Sequence, residues 1–211
     1  MYYVGLDIGS SSVKVALVEA ATGKNILSLH EPSNEMEIQS IHPDWAEQDP
    51  EAWWRYTCIA IKRVISETSI DVNNITAIGI SYQMHGLDIV DDQGHPLRPA
   101  IIWCDSRAVD IGKKAFQELG AKKCTEQLLN SPGNFTASKL KWVKDNEPAV
   151  YNKIHKYMLP GDYIAYKLSD EINTTSNGLS EGILWDYQNE CVANELLEYY
   201  DIDTHLTPTL V

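Results

Sequence analysis

The sequence predicts an α/β fold built on a mixed sheet, and three observations support this. The first 30 residues contain three alternating apolar runs separated by tight turns. A helical pattern follows from residue 50, and later apolar runs are interspersed with more helical segments. The order β-β-β-α-β followed by helices lacks repeated βαβ units, so a plain doubly wound sheet is not expected.

The chain begins with a predicted antiparallel meander over residues 2–8, 13–20 and 24–30, whose side chains alternate with period two. Residues 32–48 show no periodicity and are predicted to form an extended loop. A helix is predicted to start at Pro50, with Asp49 as its N-cap and Glu51 near the positive end of its dipole. Its buried face is predicted to carry Trp53, Tyr56, Ala60 and Val64.

Three further apolar runs, at 75–81, 86–92 and 99–103, are predicted strands, the first of them of the buried type. Helices are predicted at 105–119, 122–130, 136–146 and 160–168, then a strand at 182–186 and a helix at 194–200. Within 136–146, Lys139, Lys141 and Lys144 are interpreted as the solvent-facing side of an amphipathic helix.

Composition narrows the classes of function. The 211 residues include 17 Lys and Arg against 30 Asp and Glu, a net charge of −13, with 44% hydrophobic residues. Nucleic acid and anionic membranes are therefore not expected partners, because phosphate contacts need clustered basic side chains. A small phosphate ligand remains compatible, since backbone N–H groups can bind it. No apolar run approaches the ~20 residues that a bilayer-spanning helix requires.

The cysteines and histidines predict neither a disulfide framework nor a zinc site. Four cysteines are scattered without a C-x-x-C pair, and no two histidines have H-x-x-x-H spacing. The N-terminus lacks the basic region of a signal peptide. We therefore expect a reduced, cytoplasmic protein.

The segment DIGSSSVK, residues 7–14, is the first candidate site. Asp7 ends the first strand, where its carboxylate can reach a metal ion or its water shell. Gly9 permits a tight turn, and three consecutive serines offer N–H groups and hydroxyls to phosphate oxygens. The predicted nucleotide-binding residues are Asp7, Gly9, Ser10, Ser11, Ser12 and Lys14. An ordinary Gly-Ser hairpin turn is an equally simple interpretation of this segment alone.

Two more segments carry candidate sugar ligands. SYQMHG (81–86) lies between two predicted strands, at a sheet end, where α/β folds place ligand contacts. IIWCDSR (101–107) puts an indole beside a carboxylate, a combination that suits the C–H face and hydroxyls of a sugar. The candidates are Gln83, Met84, His85, Gly86, Trp103 and Asp105. Simpler interpretations make His85 a surface loop residue, Trp103 a core residue and Asp105 a helix cap.

These segments together resemble the N-terminal domain of the FGGY family of carbohydrate kinases, and within it most closely the xylulokinases. The matching stretches run from YVGLDIGSSSVKVALVE through HPDWAEQDPEAWW, AIGISYQMHGLDIVD, LRPAIIWCDSR, ASKLKWVKDNEP and YMLPGDYIAYKLSDE to GLSEGILWD. They cover nearly the whole chain. Many relatives carry an Asp at the position of Thr175, so no function is transferred to residues 174–182.

The resemblance implies a ribonuclease H-like (actin-like ATPase) fold and phosphorylation of a ketose by ATP with Mg²⁺, most simply D-xylulose to D-xylulose 5-phosphate. Asp7 would act near the metal, residues 9–12 near the phosphates, and the 83–86 loop with Trp103 and Asp105 at the sugar. Residues 1–211 would be the N-terminal, sugar-binding domain of a truncated two-domain kinase. The catalytic aspartate would lie beyond Val211, so no residue here is assigned as catalytic and the chain alone is expected to be inactive.

Other functions stay open at this stage. The kinase could act on ribulose, fuculose or gluconate, and relatives of this kind are often homodimers. A sugar-binding module without catalysis would need no Asp7. A metal-dependent nuclease of the same broad fold is disfavoured by the net charge of −13.

Overall fold

The computed structural model describes residues 1–211. It contains twelve strands and eight α-helices, which in chain order are β1 Tyr2–Ile8, β2 Val13–Glu19, β3 Asn25–Glu31, β4 Glu47–Gln48, α1 Pro50–Thr68, β5 Ile75–Tyr82, β6 Asp88–Val90, β7 Ala100–Ile101, α2 Val109–Leu119, α3 Ala121–Lys123, α4 Thr136–Asn146, α5 Pro148–Tyr151, β8 Lys156–Met158, α6 Pro160–Ser169, β9 Asn173–Thr174, α7 Ser176–Glu181, β10 Trp185–Asp186, β11 Cys191–Val192, α8 Asn194–Tyr199 and β12 Thr209–Leu210. No helix is long and apolar enough to cross a bilayer.

The main sheet has four strands in the order β3-β2-β1-β5. The first three pair antiparallel, which confirms the predicted meander. β5 joins β1 in parallel, so the sheet is mixed as predicted. The apolar run of β5 is not buried, however: Ile78 is 43% exposed, because β5 is an edge strand that lies beyond the strands on which α1 packs.

Helix α1 covers one face of this sheet. Asp49 caps it by accepting from the N–H of Glu51 at 3.0 Å, as predicted. Trp53, Ala60 and Val64 are buried, and they share one apolar cluster with the inward side chains of β1 and β2. This cluster holds the sheet and α1 together.

A second apolar cluster lies in the helical part of the chain. It combines Leu140 and Val143 of α4 with residues of α7 and α8 and with Leu87 and Ile101. The neighbouring Ile102 belongs to the first cluster. The segment from β6 to β7 therefore runs between the two cores, and the loops that flank it are fixed from both sides.

Several predicted boundaries are wrong. The helix expected from residue 105 begins at Val109, after irregular residues 105–106 and a turn at 107–108. The helix expected at 122–130 is a short α-turn that continues as a π-turn over residues 124–128. The strand expected at 182–186 is reduced to Trp185–Asp186, whereas the helix at 136–146 is confirmed. Periodicity does not predict α5, α7 or the strands β4, β8, β9, β11 and β12, which are too short to show a pattern.

Candidate active site

The serine turn and the histidine loop leave the same end of the main sheet. In the parallel pairing of β1 with β5, Asp7 lies opposite Ser81. The backbone N–H of Gln83 then donates to the carbonyl of Ile8 at 2.8 Å. The serine turn, predicted to bind phosphate, and the histidine loop, predicted to bind sugar, are therefore brought together at one end of the sheet.

The serine turn, residues 9–12, uses only one of its four N–H groups in hydrogen bonds within the protein. Gly9 closes the turn by donating its N–H to the carbonyl of Ser12 at 3.1 Å. The Ser10 carbonyl accepts from the side chain of Gln48 at 2.6 Å, and the Ser11 carbonyl accepts from the N–H of Met36 at 2.8 Å. The N–H groups of residues 10–12 have no partner within the protein. Three donors are thus available to an anion, while that of Gly9 is used internally.

Asp7 and Lys14 are cross-strand neighbours beside this turn. The Lys14 Nζ lies 3.1 Å from Asp7 Oδ2, and the two side chains are 65% and 45% exposed. Only one carboxylate oxygen is engaged by the protein. The half-exposed carboxylate next to free N–H donors is chemically suited to a Mg²⁺ ion with its water shell, since Mg²⁺ takes oxygen ligands and keeps several waters.

Trp103 connects the serine turn to the two loops that are predicted to bind sugar, residues 81–86 and 101–107, which are called the sugar-binding loops below. Its Nε1–H donates to the Oγ of Ser10 at 3.3 Å. The indole is 48% exposed, so the interpretation of Trp103 as a core residue is wrong. The exposed ring offers an apolar surface on which the C–H groups of a sugar can pack.

A buried lysine joins the two sugar-binding loops. The Nζ of Lys139 donates to the carbonyl of His85 at 2.6 Å and to the carbonyl of Ile102 at 3.0 Å. Burial lowers the pKa of Lys139 from its usual 10.5 to about 8, against the opposing effect of the Asp105 carboxylate. The prediction that Lys139 faces solvent is therefore wrong: it is fully buried.

The other residues of the 83–86 loop differ in their surroundings. Gln83 is buried, and its Nε2 lies 3.3 Å from Gln48 Oε1, while its own Oε1 has no partner. Met84 is 52% exposed. Gly86 packs so closely on Pro160 that a Cβ would lie 2.5 Å from its Cγ. An unpaired buried amide oxygen beside an exposed thioether leaves polar and apolar contacts for a ligand.

Asp105 is fully buried and organises the loop around it. Its carboxylate accepts from the N–H of Ala46 at 2.7 Å and from the guanidinium of Arg107 at 2.6–3.0 Å. Arg107 also pairs with Glu47 at 2.7 Å and stacks on Trp45, with 3.8 Å between its Cζ and the ring centre. Asp105 does not cap α2, whose N-cap is Ala108.

Three residues of this region are absent from the sequence-based site. Lys139 could have been found, because it shares the i, i+3, i+4, i+7 face of Thr136, Leu140 and Val143. Gln48 was assigned to a loop and Glu181 to a segment without function. Gln48 contacts Gln83, which is 35 positions away in the sequence, and Glu181 contacts His85, which is 96 positions away. No local pattern in the sequence reveals such contacts.

The chain is similar to known proteins over nearly its whole length. The model of the FGGY family of carbohydrate kinases, N-terminal domain, matches residues 2–211. The chain belongs to this family. It is 32% identical to the xylulose kinase of Staphylococcus xylosus over 213 residues, which cover 100% of this chain and 42% of that protein. The xylulose kinase of Escherichia coli K12 is also 32% identical, over 99% of this chain and 42% of its own length.

Solved structures give the same result. The crystal structure of a xyloylose kinase from Brucella ovis superposes with a TM-score of 0.90 at 30% identity, over 100% of this chain and 43% of that one. The predicted actin-like ATPase fold is thereby confirmed, and the chain matches the part of these sugar kinases that carries the N-terminal FGGY domain. The chain spans about two fifths of the length of the curated relatives that it matches.

Proposed function

We propose that this domain binds the sugar in a kinase that transfers the γ-phosphoryl group of ATP to D-xylulose, giving D-xylulose 5-phosphate. The observation that supports this most directly is the shared sheet end, where the free N–H groups of the serine turn lie beside Trp103 and the histidine loop. Four xylulose kinases at about 32% identity make a ketose the first substrate to test.

In this proposal the chain binds and orients both reactants. The N–H groups of Ser10, Ser11 and Ser12 hold phosphate oxygens, and Asp7 holds the hydrated Mg²⁺. The metal supplies neutralisation of the charge that develops on the transferring phosphoryl group. His85 and Gln83 bind sugar hydroxyls, and Trp103 packs on the carbon skeleton. Positioning and charge stabilisation supply most of the rate in such transfers.

We expect residues 1–211 alone to show no useful turnover, because the family resemblance assigns proton removal to an aspartate beyond Val211. Residues 1–211 and, where the reading frame continues, the longer product are assayed with ATP and D-xylulose, D-ribulose, L-fuculose and D-gluconate. A rate for residues 1–211 near that of full-length sugar kinases would contradict this expectation. A preference of the longer product for another of these sugars would reassign the substrate.

The variant Asp7→Asn separates a kinase from a non-catalytic sugar-binding module. If the protein is a kinase, we expect Asp7→Asn in the longer product to lower kcat/KM by at least about 100-fold, with little effect on sugar affinity. Asp110→Asn is the matched control, because Asp110 forms a similar exposed pair with Lys113 at 3.5 Å. Unchanged function in Asp7→Asn would favour the binding module.

We further propose that the protein is cytoplasmic and that it forms a homodimer. Light scattering tests the homodimer.

A further inference from the structure

His85 is held in an unusual conformation for a loop histidine. Its backbone is left-handed, with φ of 58°, and its carbonyl is fixed by the ammonium of Lys139. Its ring packs edge-on against Phe135, with 4.1 Å between the ring centres. The side chain therefore has a defined orientation before any ligand binds.

The Nδ1 atom of His85 faces two oxygens of the same residue. Glu181, the last residue of α7, places its Oε1 at 2.7 Å and its backbone carbonyl oxygen at 3.3 Å from Nδ1. An ionised carboxylate and a carbonyl are both acceptors only, so Nδ1 has to carry the proton. The hydrogen bond to Nδ1 is made by the backbone carbonyl, whereas the buried Oε1 has no hydrogen-bond partner and acts on the ring as a nearby charge.

The surroundings of the ring favour its neutral form, because they lower the pKa of His85. The charged groups that face it are Glu181 and Lys139. Burial lowers the pKa of His85, Lys139 lowers it further, and Glu181 partly offsets both effects. With the proton on Nδ1, the Nε2 lone pair is left as an acceptor.

We propose that Glu181 is a positioning residue that fixes His85 as the Nδ1–H tautomer, so that Nε2 accepts a hydrogen bond from a hydroxyl of a neutral sugar. The same carboxylate, 35% exposed beside the ring, disfavours a sugar acid at this position through like-charge repulsion. This inference rests on the proposed function for the identity of the ligand, but not for the tautomer. It predicts ketoses and polyols as ligands, and it argues against gluconate.

The first test is ¹⁵N NMR of the His85 ring in residues 1–211, which needs neither ATP nor turnover. We expect a protonated Nδ1 and an unprotonated Nε2 in the unmodified protein. Glu181→Ala removes the carboxylate but keeps the backbone carbonyl, so it should raise the fraction of the Nε2–H form without abolishing the Nδ1–H form. Glu181→Gln keeps an acceptor oxygen and should retain the tautomer, but it should lower the pKa of His85 because the negative charge is lost. Glu67→Gln, which neutralises the exposed partner of Arg63 near the end of α1, is the control and should change neither property.

The second test is calorimetric titration of the same variants with D-xylulose and D-gluconate. We expect Glu181→Ala to weaken D-xylulose binding about tenfold and Glu181→Gln to narrow the preference for D-xylulose over D-gluconate. An unchanged tautomer in Glu181→Ala would overturn the positioning role. A shifted tautomer together with no sugar binding by the unmodified protein would support that role and count against the proposed function.

Discussion

The serine turn and the two sugar-binding loops meet at one sheet end but are held in place differently. The serine turn is fixed mainly by hydrogen bonds to its backbone, including one from the side chain of Gln48, and the exposed ion pair of Asp7 with Lys14 lies beside it. The sugar-binding loops are fixed by buried charges, namely Lys139 and the pair of Asp105 with Arg107. The phosphate side is thus a property of backbone geometry, whereas the sugar side depends on particular side chains.

This difference suits the two ligands proposed for the site, a nucleotide phosphate and a sugar. A phosphate group is the same in every nucleotide, and free N–H donors bind it without selectivity for the rest of the molecule. A sugar is recognised by the positions of its hydroxyls, which requires loops fixed to within fractions of an ångström. We therefore expect substitutions on the sugar side to affect folding as well as binding, and substitutions on the phosphate side to spare folding.

The largest expected loss of stability follows from Asp105→Ala. Arg107 is 1% exposed, and loss of its bidentate partner leaves a buried guanidinium with only Glu47. Removing one member of a buried ion pair costs about 3–5 kcal/mol. Urea unfolding measures the change. A loss below about 1 kcal/mol would show that Glu47 alone compensates the charge of Arg107.

Lys139→Met should cost about 2 kcal/mol at pH 7, because it leaves the carbonyls of His85 and Ile102 without their donor. The cost should depend on pH. The folded state lowers the pKa of Lys139 from 10.5 to about 8, so it disfavours the charged form. The unmodified protein therefore gains stability as the pH rises from about 8 to about 10.5, and the variant lacks this gain.

Urea unfolding of both proteins at pH 7.5 and pH 10 isolates this contribution, because the other titrating groups are common to them. The stability difference should be larger at the higher pH. An equal difference at both values would mean that Lys139 titrates normally, which is incompatible with its burial.

Gly86→Ala should destabilise the protein by about 1–3 kcal/mol, because the new methyl group overlaps the rigid ring of Pro160. Gly79→Ala is its control. Gly79 lies in the edge strand β5 with open space around its Cα, so an added methyl group meets nothing within 4 Å. We expect that variant to be unchanged or slightly more stable in thermal melts. Equal losses in the two variants would contradict the close packing of the 83–86 loop.

The sequence predicts the main sheet and the long helices because their patterns are local. The alternation in β1 and β2, and the cap and apolar face of α1, are each readable within one element. Burial of β5 was predicted wrongly because an apolar run does not reveal whether a strand has a neighbour on both sides.

The site divides in the same way. The serine turn and the histidine loop follow from motifs in two neighbouring strands, and their proximity follows from parallel pairing. The residues that fix the sugar-binding loops come from α4 and α7, far away in sequence. Lys139 is predicted to face solvent with Lys141 and Lys144, whereas it lies on the buried face of α4. The two carbonyls that accept from its Nζ explain why a lysine can be buried there.

Asp7→Asn is expected to have the smallest effect on folding. The Asp7–Lys14 pair is largely exposed, and such pairs contribute about 0.2–1 kcal/mol at most. Thermal melts should give a small difference from the unmodified protein that shrinks further at high salt, because salt screens an exposed pair. Affinity for Mg²⁺-ATP, measured by calorimetry on the longest available product, should nevertheless fall by about tenfold or more. A variant with reduced stability and unchanged nucleotide affinity would reverse the contrast between the two sides of the site, and Asp7 would then be a structural residue.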